Sequence, residues 1–291
     1  MDVLQTLFVE PLQLAFMQRA LLAAALIGIV SGVMGAYVVT RGLAFLGDAL
    51  AHSILPGVAV AFLAAGSGGA ALLFGGLAAG ILSALGIGFL TRGERMAEDT
   101  AIGIVFAGML ALGIALISKA QNYTVDLTHV LIGNILAVSA DDLTLTLIFG
   151  LVVLGTVFLF YKELLVVSFD ATLAQTLRLP GEALRVLLLV LLAVTIVMGT
   201  QVAGVALVAA MLVTPAATAR FFVRRLHHLM LLGAAIGAAS GAAGLYIAWH
   251  GRVAPSAAIV LTMTALFLAA FFLAPGKGYL WSLLGRSAKA A

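Results

Sequence analysis

The chain has 291 residues, 64% of them hydrophobic and only 9% charged, with a formal net charge of +3 and a mean hydropathy of +1.22. Soluble domains carry about 25% charged residues, so a water-soluble fold is excluded, and at roughly 20 residues per crossing a bundle of membrane spans leaves no room for a second, soluble domain. Cysteine is absent, which excludes disulfides, thiolate metal sites and a thiol nucleophile, so any metal must be held by oxygen or nitrogen.

The start, Met1-Asp2-Val3, has neither a basic region nor a small-residue cleavage site, and no removable signal peptide is expected. Residues 1–18, with Leu4, Leu7, Phe8, Leu12 and Leu14 around Glu10 and Pro11, read as an interfacial segment. From there an all-α polytopic transmembrane bundle of eight or nine spans fills 19–274 as one domain, followed by a tail over 275–291. Apolar runs between charged breaks put crossings at 19–40, 43–65, 70–90, 101–118, 143–161, 184–204, 205–222, 229–249 and 255–274. Within 184–222, Gly199 and Gly204 suggest a break, and one tilted helix followed by a short re-entrant one also fits.

Lys and Arg near span ends orient the set. Arg41, Arg92, Arg95, Lys162, Arg178, Arg185, Arg220, Arg224, Arg225, Lys277, Arg286 and Lys289 fall on alternate loops, twelve of the fifteen basic residues. That side is expected to be the cytoplasm, with the C-terminus inside and the N-terminus outside. Small-xxx-small spacings at Gly28/Gly32, Gly76/Gly80 and Gly237/Gly241 allow close helix contact; they read as packing within the chain, with a subunit interface as the other use.

The second span holds Gly47-Asp48-Ala49-Leu50-Ala51-His52-Ser53-Ile54-Leu55-Pro56. Asp48 is the acid and His52 the histidine inside a crossing, where an ionisable group costs at least about 2.5–3.5 kcal/mol. Their i, i+4 spacing puts both on one helical face, so a carboxylate oxygen and an imidazole nitrogen can converge on one ion. That donor set suits Mn²⁺, Fe²⁺ or Zn²⁺ better than Ca²⁺ or Mg²⁺. Two ligands make half a site, which a second copy about a two-fold axis completes. An intrahelical pair that only ties helices together and a proton relay are the competing uses. Pro56 removes the hydrogen bond to the carbonyl of His52 and, like Pro215, marks a kink.

The loop over 168–180 reads as a short amphipathic helix, capped by Ser168 or Asp170 and ended by Pro180. Its face of Phe169, Leu173, Ala174 and Leu177 could dock into a groove on a partner domain. Glu98-Asp99 at a span start suits the positive helix end. On the opposite side, Asp126, His129, Asp141 and Asp142 either receive metal or are solvated loop residues. The chain lacks the Gly-x-x-x-x-Gly-Lys-Ser/Thr phosphate loop and is not expected to hydrolyse ATP.

Arg41-Gly42-Leu43-Ala44-Phe45-Leu46-Gly47-Asp48-Ala49-Leu50-Ala51-His52, Glu98–Ile104, His129–Leu136, the 168–180 loop, Leu212–Arg220 and Pro255–Leu261 follow in order along most of the length. In these runs the chain resembles the permease subunits of zinc, manganese and iron ABC importers; the family pattern has Gly where this chain has Ala257. The resemblance implies a bundle of the type II kind, shared with siderophore and cobalamin permeases, in a bacterial inner membrane. It implies that 168–180 is the coupling helix, that Asp48 and His52 contribute to the metal site, and that no cofactor is bound permanently. The partners it implies are two ATP-binding cassette subunits, a second permease chain that makes a homodimer, and an extracytoplasmic metal-binding protein; nucleic acid is not among them. A proton-coupled secondary carrier and a permease for a metal chelate are the alternatives.

Overall fold

The structure, a computed structural model, describes residues 10–66, 69–118 and 135–274. Among them there is no strand, and eight helices are long and apolar enough to cross a membrane. The helices are α1 (Ala15–Arg41), α2 (Ala44–Ser53), α3 (Leu55–Ala65), α4 (Gly69–Leu90), α5 (Glu98–Ile117), α6 (Ala140–Leu159), α7 (Tyr161–Phe169), α8 (Ala171–Thr176), α9 (Gly181–Ala203), α10 (Val205–Ala219), α11 (Leu226–Gly251) and α12 (Pro255–Leu273). Together α2 and α3 make one span.

Two expected boundaries move. Residues 15–18, placed in the interfacial segment, open α1 instead, because Ala15, Phe16 and Met17 continue its apolar run; only Glu10–Leu12 forms a separate helical turn. The crossing expected at 205–222 becomes α10, 15 residues or about 22 Å long, short of the roughly 30 Å hydrocarbon core. The tail 275–291 lies outside the described residues.

α1 and α9 are the most enclosed spans and α5 the least. α1 and α11 cross antiparallel: Gly28 faces Gly237, Gly32 faces Gly233 and Ala24 faces Gly241. A Cβ on Gly28 would lie 2.6 Å from the Gly237 carbonyl carbon, so backbone meets backbone with nothing between. Without a hydrophobic drive between helices in lipid, this close van der Waals contact is what holds them. Gly76 and Gly80 likewise receive Val58, Ile54, Val197 and Ala193 within the chain. Several buried hydroxyls return their hydrogen bonds to their own helix, as Ser53 does to the Ala49 carbonyl, Ser83 to Ala79 and Thr195 to Leu191, because no water is available there.

Two glycines set the chain's course through backbone angles that other residues resist. Gly42, at φ 74°, ends α1 in the left-handed conformation with its N–H on the Val38 carbonyl, which turns the chain into α2 after one further residue. Gly204, at φ 81° and ψ 161°, occupies a region essentially restricted to glycine and folds α10 back on α9, with Gly199 against Val208. α10 then runs parallel to α1: Leu212 meets Gly35, and Arg220 donates from Nη1 to the Val39 carbonyl at 3.1 Å.

Candidate metal site and its supports

α2 is buried along Leu46, Gly47, Ala49, Leu50, Ala51 and Ser53. Its unburied positions, Ala44, Phe45, Asp48 and His52, fall three to four residues apart and form one stripe. Gly47 on the opposite side meets the Leu212 side chain of α10, fixing which way the stripe points. Asp48 Oδ1 and His52 Nε2 stand 3.7 Å apart, with side chains 48% and 31% exposed. That separation is too long for a hydrogen bond. With metal bonds of about 2.1 Å it corresponds to a ligand–ion–ligand angle of about 120°, so the two atoms as placed can share one ion. Among the described residues no group of three or more His, Cys, Asp and Glu converges; the pair alone is incomplete.

One wall of the pair comes from α5. The Phe106 ring meets His52 with centroids 6.1 Å apart at 62° and Phe45 at 5.8 Å and 83°, both edge-on. Higher up, Gly113 lets α5 close onto Leu55 and Pro56. The helix is interrupted between Ser53 and Leu55, with Pro56 near the start of α3. The His52 carbonyl, expected to be free of a bond from Pro56, has the Ile54 N–H beside it at the end of α2. Pro215 lies inside α10, which continues past it to Ala219.

At the arginine-rich side, the end of α1 and the start of α5 are tied by an ion pair that sequence reasoning missed. Arg41 Nη2 donates to both oxygens of Glu98, at 2.9 and 3.1 Å, joining the end of α1 to the start of α5; the side chains are 9% and 16% exposed. Glu98 therefore does more than favour a helix end. Nothing in the sequence signals a pairing 57 residues apart; the only hint is that Arg41 and Glu98 both stand at span ends on the arginine-rich side. Close by, the Gly93 N–H donates to Glu182 Oε1 at 3.2 Å, linking the loop before α5 to α9.

The 168–180 segment is not a single helix. α7 runs through Ser168 to Phe169, Asp170 caps α8 by accepting from the Leu173 N–H at 2.8 Å, and Ser168 Oγ is buried without a hydrogen-bond partner. α8 stops at Thr176, Arg178 turns at φ 53°, and Pro180 stands as the cap before α9 rather than at the end of the short helix. Phe169, Leu173 and Leu177 are exposed, whereas Ala174 is buried. Ala174 sits about 100° round the helix from Leu173, and its small side chain lets α8 approach a cavity of about 210 Å³ shared with Val167, Leu179 and Arg185. It therefore leaves the face expected to dock a partner.

At the opposite end of the molecule, Asp142 takes the Ser139 N–H at 3.1 Å and its hydroxyl at 2.6 Å, completing a capping box for α6. Asp126 and His129 lie outside the described residues. Gln201 Nε2 on α9 donates to the Gly69 carbonyl at the start of α4.

Residues 13–274 match the family described as the ABC 3 transport family. The chain is 44% identical over 277 residues to the manganese transport system membrane protein MntC of Listeria monocytogenes, covering 95% of this chain and 97% of that one. It is 41% identical over 265 residues to the manganese import system permease protein ScaB of Streptococcus gordonii, covering 91% and 94%. Among solved structures it superposes on a chain of PsaBC from Streptococcus pneumoniae in complex with Fab with a TM-score of 0.81 at 39% identity, covering 94% and 97%.

Proposed function

This chain belongs to the ABC 3 transport family, and from that premise we propose that it is the membrane-spanning permease of an ATP-driven importer that carries Mn²⁺ into the cytoplasm. The single observation that carries the reading is the open stripe of α2: a carboxylate and an imidazole 3.7 Å apart, half exposed on a protein whose surroundings are lipid. Such groups do not face hydrocarbon; they face a partner or a water-filled path. A second copy related by a two-fold axis supplies the same pair, and two carboxylates with two imidazoles make a four-ligand nitrogen and oxygen site. The relatives named for manganese favour Mn²⁺ over Zn²⁺ and Fe²⁺, which the same ligand types also accept.

The rest of the cycle follows from placement. Metal arrives from the outer side, passed on by an extracytoplasmic binding protein, and loses water to Asp48 and His52. ATP is hydrolysed by a separate cassette subunit, which grips Phe169, Leu173 and Leu177 on the α7–α8 corner. Movement there reaches α9 directly, and through Glu182 and Gly93 it reaches the loop leading into α5. The arginine-rich end is the cytoplasmic one, in the inner membrane of a bacterium, with the C-terminus inside.

The test is uptake of Mn²⁺ by the permease–ATPase complex in liposomes. Asp48→Ala and His52→Ala each lower uptake on the order of 100-fold, since a ligand loss exceeds the 10–100-fold cost of disturbing an outer-shell partner, while assembly with the ATPase is kept. Full uptake by both variants would falsify the site.

A further inference from the structure

The stripe that carries the metal pair also carries an aromatic ring that ligand chemistry does not require. Phe45 is 51% exposed and shares the unburied line of α2 with Asp48 and His52. An exposed phenyl on a lipid-facing helix is ordinary. Here the same line bears two ionisable groups, so the ring borders the space the ion occupies. On the helix Phe45 lies three residues, about 4.5 Å, closer than Asp48 to the arginine-rich end, and about 10.5 Å closer than His52. An ion leaving the pair toward that end must pass it.

We propose that Phe45 is the inner gate of the metal path: paired with Phe45 of a second copy, it closes an apolar constriction beneath the Asp48/His52 site, and Phe106 holds it shut. This rests on the transport reading above. A ring of apolar side chains blocks ions by excluding water rather than by filling the pore, so two phenyls suffice where no charged plug is present. Phe106 contacts Phe45 and His52 together, which links the gate to ligand occupancy. It does so from α5, the least enclosed span, whose first residue Glu98 is tied by an ion pair to Arg41, the last residue of α1, three positions before α2 begins. A shift of α5 therefore withdraws the support of the gate and of the His52 ring in one movement.

The experiment uses the complete permease–ATPase complex in liposomes loaded with a Mn²⁺-quenched dye, without ATP and then with it. Phe45→Ala is expected to raise the ATP-independent Mn²⁺ leak at least tenfold and to lower the ions carried per ATP, whereas Phe45→Trp, which keeps an apolar ring, stays tight. Phe106→Ala leaks as well. Liposomes with Phe45→Ala as tight as wild type, or a Phe45→Trp variant as leaky as Phe45→Ala, overturn the gate. Because the chain has no cysteine, Phe45→Cys gives a second readout that does not depend on the alanine variant folding: a short bis-maleimide should join the two copies in the absence of ATP, and no crosslink overturns the proposal. Asp48→Ala, run in parallel, separates the two readings. If it is tight but transports nothing while Phe45→Ala is also tight, only the gate falls; if it transports normally, the metal site falls first.

Discussion

Along the contact of α1 with α11, each turn brings a small residue against a small residue: Ala24 with Gly241, Gly28 with Gly237, Gly32 with Gly233. One helix further along the chain, α2 buries six of its residues and leaves a stripe of Phe45, Asp48 and His52, with Phe106 beside Phe45 and His52. The first contact is finished within the chain. The second is not, and it is the one that holds an ionisable pair. In a bilayer an apolar surface can be left to lipid at no cost, so the exposed leucines of α4, α6 and α12 ask for no explanation. A half-exposed carboxylate cannot be left that way, and its openness points to a missing neighbour. The difference between the two regions is thus between a scaffold that fixes helix positions and a face the chain leaves open.

The largest effect expected from breaking this arrangement lies where the two regions join. Arg41→Ala leaves Glu98 enclosed and unpaired and frees the N-terminal end of α5; removing one partner of a buried pair costs about 3–5 kcal/mol, and the partial exposure of both side chains keeps this case near the lower end. The measurement is thermal unfolding in detergent, with the double variant Arg41→Met/Glu98→Leu expected to regain most of the loss. Should the double variant be as unstable as the single one, the pair is not what holds α5. Next in size is the seam. Gly32→Val forces a side chain against the Gly233 backbone, where a Cβ alone comes within 2.5 Å, and overpacking of this kind costs about 1–3 kcal/mol. Gly155→Ala, at a helix position with nothing within 4 Å, is the control and leaves the melting temperature unchanged or slightly raised. The smallest change in stability, within about 0.5 kcal/mol, belongs to Leu173→Ser on the exposed α8 face, yet this variant should weaken binding of the ATPase about tenfold, the loss of one modest interface contact. An unchanged affinity, measured by co-purification or fluorescence titration, would move the docking surface elsewhere.

The spans, the pairing of Asp48 with His52 on one face and the family were readable because each depends on residues close in sequence. Helix periodicity fixes which positions share a face, and the energy of a charge in hydrocarbon makes Asp48 conspicuous wherever the helix sits. The Gly28/Gly32 and Gly237/Gly241 spacings were legible as contact surfaces, and their use inside the chain agrees with that expectation. The segment over 168–180 was legible as a short capped amphipathic helix, but its division into α7 and α8, and the turning inward of Ala174, depend on how closely α8 approaches α9.

Length, hydropathy and local spacing by themselves determined that this protein is a helical membrane bundle with a carboxylate–imidazole pair in its second span. Only the tertiary structure decided that the pair lies on an open face, that Phe106 stands beside it and that Arg41 meets Glu98. The physical reason is range: burial and helical phase are set by neighbours within a few residues, whereas the contacts of α5 with α1 and α2 join positions more than fifty residues apart, and only the packing of the whole bundle chooses them.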